Sequence, residues 1–298
     1  MVSNRRDFIF SLSKVIGSSL LLTHPILSSA NNLQAIEESI TVGDVISGFL
    51  KEIPGAPFNK TVDTLKAGSL DLKVKGILTS AFATIENIRK AIDIGANFII
   101  AHEPTFYNHQ DAVDWLKNDE VYQYKARLLE ENNIAVWRNH DYIHSHSPDG
   151  VITALVDTLG WDQYRKEGVL FELPAQKLQG LIEEVKVKLN TGTVRYIGKL
   201  NQTCRKILLL PGAPGGTRQI EAIGKYKPDA VLIGESNEWE TIEYVRDAND
   251  KGQNLAMVVL GHIGSEDIGS KWMAEWIKKK FPAITVSYHP TTKPLHYI

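Results

Sequence analysis

Cysteine is nearly absent: 298 residues hold one, Cys204. A single thiol closes no intrachain disulfide and builds no thiolate zinc cluster, so any metal site must use histidine and carboxylate. A surplus of charge is missing too. Lys and Arg number 33 against 35 Asp and Glu, a net charge of -2. Nothing there favours a nucleic-acid backbone as principal partner. Low-complexity tracts and short-period repeats are lacking. With 43% hydrophobic and 23% charged residues, disorder and a coiled-coil rod are excluded. At roughly 150 residues per domain, the length fits two domains or one large α/β unit.

The N-terminus reads as an address. Arg5 and Arg6 precede an apolar stretch over residues 8–22, interrupted by Lys14, and Ser28, Ser29 and Ala30 follow. A basic start, an apolar middle and a small-residue end make an export signal, here of the twin-arginine type. The apolar run is about 15 residues, short of the ~20 that span a bilayer. Residues 1–30 are therefore expected to be removed after Ala30, leaving residues 31–298 as one domain, periplasmic or secreted and without a membrane anchor. Losing Arg5, Arg6, Lys14 and Asp7 takes the charge from -2 to -4. Twin-arginine export also suits proteins that fold around a cofactor beforehand.

Beyond residue 36 the pattern alternates helices with short apolar runs. Helices are expected over residues 42–52, 85–94, 120–132, 150–159, 177–189, 218–225, 241–249 and 268–281. Strands are expected over 74–80, 97–101, 134–137, 206–210, 230–233 and 255–260. Short all-apolar strands between helices indicate an α/β fold with sheets covered on both faces. A boundary would fall near Pro148 or over residues 170–174.

Ligands in open α/β sheets collect at the carboxyl ends of strands. After the strand at 97–101 come His102 and Glu103. After 134–137 come Arg138, Asn139, His140 and Asp141, then His144 and His146. After 255–260 come Gly261, His262 and Glu266. His262 and Glu266 are four apart and share a face if the turn is helical. His102 and Glu103 are adjacent and diverge, which suits two neighbouring ions better than one chelate. Imidazole and carboxylate suit Zn, Mn, Fe or Ni without choosing among them. The glycine-rich stretch 212–216 can present backbone N–H groups of Gly215 and Gly216 to an anion, although it lacks the ending of a phosphate loop.

Five segments, in order, resemble the Nif-three-like family, the dinuclear-metal proteins labelled type 2 GTP cyclohydrolase I homologues. They are TVDTLKAG from Thr61, KGILTSAFATIENIRKAIDIGANFIIAHEPTFY from Lys75, NHDYIHSHSPDGVITALVDTLGW from Asn139, LLLPGAPGGTRQIEAI with PDAVLIGES after it, and VVLGHIGSE from Val258. The resemblance implies two α/β lobes, with the metal site between them at strand C-terminal ends. It also implies two divalent ions, a homo-oligomer of up to six chains arranged as a toroid, and ligands His102, Glu103, His144, His262 and Glu266.

Two ligands depart from the family pattern. Glu103 stands where the family has the second histidine of His-His-Pro, and His144 where it has Asp, so the total of three imidazoles and two carboxylates is kept in permuted order. A shift of register in the middle motif would put Asp141 or His146 in that place instead. The function expected is metal-dependent hydrolysis of a small, anionic or nucleotide-like substrate, with Glu266 as the catalytic, bridging carboxylate. The alternatives are a non-catalytic metal-binding oligomeric scaffold and a member that has lost tight metal binding.

Overall fold

A computed structural model describes residues 39–296. The leader expected at 1–30 lies outside the described residues. The chain runs through α1 (Val42–Leu50), β1 (Leu65–Ala67), β2 (Ile77–Ser80), α2 (Ile85–Asp93), β3 (Phe98–Ala101), α3 (Glu120–Glu131), β4 (Ala135–Arg138) and the short α4 (Asp141–Ser145). It continues through α5 (Gly150–Leu159), β5 (Arg165–Glu167), β6 (Leu170–Lys177), α6 (Leu178–Lys188), β7 (Arg195–Ile197), β8 (Thr203–Leu210), α7 (Gly216–Tyr226), β9 (Ala230–Ile233), α8 (Glu243–Asp250) and β10 (Ala256–Val259). Last come α9 (His262–Lys280) and β11 (Val286–Tyr288).

Two sheets result. The first has the order β1-β4-β3-β2-β11 and is parallel except for β1 at one edge. The second has the order β5-β6-β8-β9-β10-β7, with β8, β9 and β10 parallel and antiparallel strands on either side. The apolar runs follow from burial of both faces. Side chains alternate along a strand, so Phe98 and Ile100 enter one core with α1 and α9, while Ile99 and Ala101 enter another with α2 and α3. The second sheet divides likewise: Leu232 and Val258 face one way, Val231 and Met257 the other.

Two helices join the halves. Val151 of α5 packs into the core of the first sheet, and Leu155, Val156 and Leu159 into that of the second. α9 leaves the second sheet, lies along α5 and β2, and returns the chain to β11 in the first. The chain thus crosses from the first sheet to the second after Pro148. Residues 170–174 fall inside β6. There Pro174 sits where the pairing with β8 is irregular, between Glu172 and Gln176, a position that tolerates a missing N–H.

α9 begins at His262, six residues before the sequence expectation of 268. The polar residues of its first turn carry no apolar periodicity. Strands β1, β5, β7 and β11, of three residues each, and β6 were not anticipated. Three-residue pairings leave little pattern in a sequence, and in β6 Pro174 and the exposed second half interrupt the apolar run.

Candidate metal centre

The strands of both sheets end on one cleft. From the first sheet, β3 delivers His102 and Glu103, and β4 leads through Asn139 into α4, which carries His144 and is preceded by His140. From the second, β10 leads through Gly261 into α9, which carries His262 and Glu266, while β8 is followed by Gly212 and β9 by Glu235. Asp63, 1% exposed, fixes the start of α4. Its two carboxylate oxygens accept from the backbone N–H of His140 at 2.8 Å and of Tyr142 at 2.7 Å.

Within the cleft, His262 Nε2 lies 2.8 Å from Glu103 Oε1 and 2.9 Å from Glu266 Oε2. His102 Nε2 lies 3.6 Å from Glu103 Oε1 and 3.5 Å from Glu266 Oε2. His144 Nε2 approaches Glu266 Oε1 at 3.9 Å. The ring of His140 stacks on that of His102, 4.9 Å between centroids, and stands edge-on to His144 at 5.1 Å. Two sets of donor atoms lie within 4.8 Å of one another: His102 with His140 and His144, and His102 with Glu103 and Glu266.

All four rings are tied from behind through the same nitrogen. Nδ1 of His102 meets the Asn139 carbonyl at 3.1 Å, that of His140 the Asp141 carboxylate at 3.0 Å, that of His144 Asp149 at 2.9 Å, and that of His262 Glu235 at 2.9 Å. An acceptor at Nδ1 fixes the ring and leaves Nε2 with its lone pair available, the arrangement that orients imidazole ligands. Asp149 also caps α5, its other oxygen accepting from Val151 and Ile152 N–H at 2.8 and 2.9 Å.

Burial and pairing oppose each other in the charge states. Burial alone would lower the His102 pKa, but the nearby Glu266 and Glu103 carboxylates outweigh it and raise it to about 9. Burial likewise disfavours protonated His262, yet Glu103, Glu235 and Glu266 push it up to about 12. Burial would raise the carboxylates. His262 and His102 instead bring Glu103 down to about 2 and hold Glu266 well below the ordinary range. Without metal, therefore, His102 and His262 are protonated beside ionised Glu103 and Glu266.

The five residues expected from sequence converge, and His140 joins them as a fourth imidazole. Neither register alternative enters the cluster. Asp141 turns to the ring of His140, to Thr61 and to the Val62 N–H. His146 turns away to Pro148 and Glu52, against Phe49 and Trp272. The glycine-rich turn meets the cluster through Gly212 rather than Gly215 or Gly216. A Cβ on Gly212, whose φ is +64°, would stand 2.3 Å from Glu266 Oε1; nothing larger than glycine fits there. The Gly216 N–H already donates to the Glu240 carboxylate at 3.1 Å, so an anion at α7 would have to displace that side chain. Sequence reasoning also missed Asp63, Asp149 and Glu235. All three lie inside motifs already singled out, but spacing cannot show that a carboxylate points at the back of a ring.

The residues fit a metal group. His102 Nε2 is buried with no hydrogen-bond partner, and the surrounding donors are imidazole nitrogen and carboxylate oxygen with no thiolate, a set that takes divalent transition metals. Fold and site together define a two-sheet α/β protein with a histidine–carboxylate cluster that is a candidate metal site. The family model described as Duf34/NIF3 (NGG1p interacting factor 3) matches residues 56–294, and the chain belongs to that family. A GTP cyclohydrolase 1 type 2 homolog of Clostridium acetobutylicum is 26% identical over 215 residues, 68% of this chain and 76% of that protein. One from Chlamydia pneumoniae is 22% identical over 242 residues, 77% of this chain and 89% of that protein. The crystal structure of a Bacillus cereus protein related to NIF3 superposes with a TM-score of 0.71 at 17% identity, covering 87% of this chain and all, 100%, of the other. At that identity the likeness bears on fold alone.

Proposed function

We propose that the cleft holds two divalent ions and uses them in hydrolysis of a small anionic substrate. The observation that carries this reading is the common orientation of four imidazoles, each held at Nδ1, around Glu103 and Glu266. His140 and His144 would serve one ion, and Glu103 and His262 the other. His102 lies between them. Glu266 would be the carboxylate shared by both, since its Oε1 faces His144 and its Oε2 faces His262 and His102. When bound, paired divalent ions supply Lewis acidity and a nucleophile at neutral pH. The chain's own residues hold the rings at Nδ1 so that Nε2 is aimed into the cleft, and they exclude bulk water from Glu103 and Glu266, both about 5% exposed. Gly215 and Gly216 offer a seat for an anionic group where Glu240 yields it. The same reading takes the chain as an exported homo-oligomer.

Turnover on a panel of phosphoesters, nucleotides including GTP, and cyclic amides tests the catalytic half. Metal-loaded protein should act on a member of the panel and Glu266→Gln should not. Protein that carries its ions but turns over nothing in the panel is a metal-binding scaffold.

A further inference from the structure

Behind Glu103 lies a buried block rich in cations. Arg138, the last residue of β4, is 0% exposed. Its Nη1 donates to the His109 carbonyl at 2.5 Å, and its Nε reaches the His102 carbonyl at 3.4 Å. Its Nη2 has no hydrogen-bond partner and stands 3.6 Å from Glu103 Oε2. Asp111 answers only part of this charge. It is 3.5 Å from Arg138 Nη1 but 3.0 Å from Lys66 Nζ, and buried Lys125, on the Thr105 carbonyl, feels it as well.

The charges can be counted. Three cations, Lys66, Arg138 and Lys125, face two carboxylates, Asp111 and Asp63, and the second of these is occupied by the backbone of α4. One positive charge is left over, and the anion nearest the free Arg138 nitrogen is Glu103. The two oxygens of Glu103 therefore do different things: Oε1 faces His262 in the cleft, and Oε2 faces the guanidinium. Buried like charges repel far more strongly than exposed ones, so a divalent ion at Oε1 feels Arg138 across a single carboxylate.

We propose that Arg138 makes the two metal positions unequal: its guanidinium competes with a bound ion for Glu103 and weakens the Glu103–His262 position relative to the one lined by His140 and His144. This rests on the metal-centre reading above. Arg138 acts through Glu103 as a positioning residue, keeping one ion exchangeable while the other stays.

Calorimetric titration of the metal-stripped full chain with zinc tests it. The wild type should show two steps of different affinity. Arg138→Gln should tighten the weaker step about tenfold and leave the tighter one in place, whereas Arg138→Lys, which keeps the charge, should resemble the wild type. In a Glu103→Gln background Arg138→Gln should tighten the weaker step by a smaller factor, because the competition for the carboxylate is gone and only the direct repulsion between guanidinium and ion remains. A purely structural Arg138 would loosen both steps in Arg138→Gln, and that outcome, or no change at either step, overturns the proposal while sparing the metal centre. A wild type that takes up no zinc overturns both. If Arg138→Gln does not fold, Lys66→Met serves instead. It releases Asp111 to neutralise Arg138 and should tighten the weaker step by a smaller factor; loosening or no change there counts against the proposal.

Discussion

At His262 one ring faces three carboxylates, Glu235 at Nδ1 and both Glu103 and Glu266 at Nε2. His262→Ala should therefore cost one ion of two by elemental analysis. Glu266→Ala should cost both, because each position loses the shared carboxylate. The permuted pair makes a finer test. Glu103→His with His144→Asp restores the family's order of ligands and should keep two ions, while either single change should lose one. Proton linkage at the same residues predicts how the metal-stripped protein responds to pH. The His102 pKa is raised to about 9, so its stabilising contribution is complete below about 6.5, the ordinary histidine value, and lost as pH rises through 9. The Glu103 pKa is lowered to about 2, so its contribution is present above about 4.5 and lost as pH falls toward 2. Thermal melts of stripped protein should thus be highest near pH 4.5–6.5 and fall on the alkaline side, with roughly 3 kcal/mol at stake from His102. Zinc-loaded protein, whose imidazoles are already deprotonated, should stay level there. A stripped protein equally stable at about pH 6 and about pH 9.5 would contradict the pairing of His102 with its carboxylates.

At the scale of elements, α4 is five residues long and too short to be stable by itself. What places its histidines is Asp63 from the loop before β1. Asp63→Ala leaves the buried N–H groups of His140 and Tyr142 without acceptors, which should cost about 2–4 kcal/mol and loosen zinc more than a distant variant of equal stability does. Chemical denaturation and zinc titration read the two effects separately. The buried strands were legible in the sequence because both faces of each are apolar, and the helices because their apolar residues recur at helical spacing and Gly95 and Gly160 follow two of them. The edge strands were not, since three residues paired at a sheet margin carry no periodicity. The same difference holds within the site. His102, Glu103, His262 and Glu266 were found because each follows an apolar run. His140 stood in the right segment but was passed over, since sequence spacing does not tell which of several neighbouring histidines a short helix turns inward. The Arg138–Asp111–Lys66 chain joins three segments that only the folded backbone brings together, and it left no trace in any one of them.

For the whole molecule, the cleft depends on both sheets at once. His102, Glu103, His140 and His144 come with the first, while His262 and Glu266 come with the helix that leaves the second, so metal binding should stabilise the association of the two halves. The export reading predicts that protein from the native host begins at Asn31; a chain starting at Met1 in the cytoplasm would contradict it. Light scattering on the mature chain should show a closed homo-oligomer, and a monomer at micromolar concentration would count against one. The central claim is that six side chains from two sheets form one centre for two ions. Its most direct test is native mass spectrometry of the folded protein reconstituted with zinc. The proposed two-ion centre predicts two ions per chain in the wild type and neither retained tightly when His102→Ala removes the imidazole common to both donor sets. A wild type carrying no zinc, or a His102→Ala protein that keeps both ions, would contradict it.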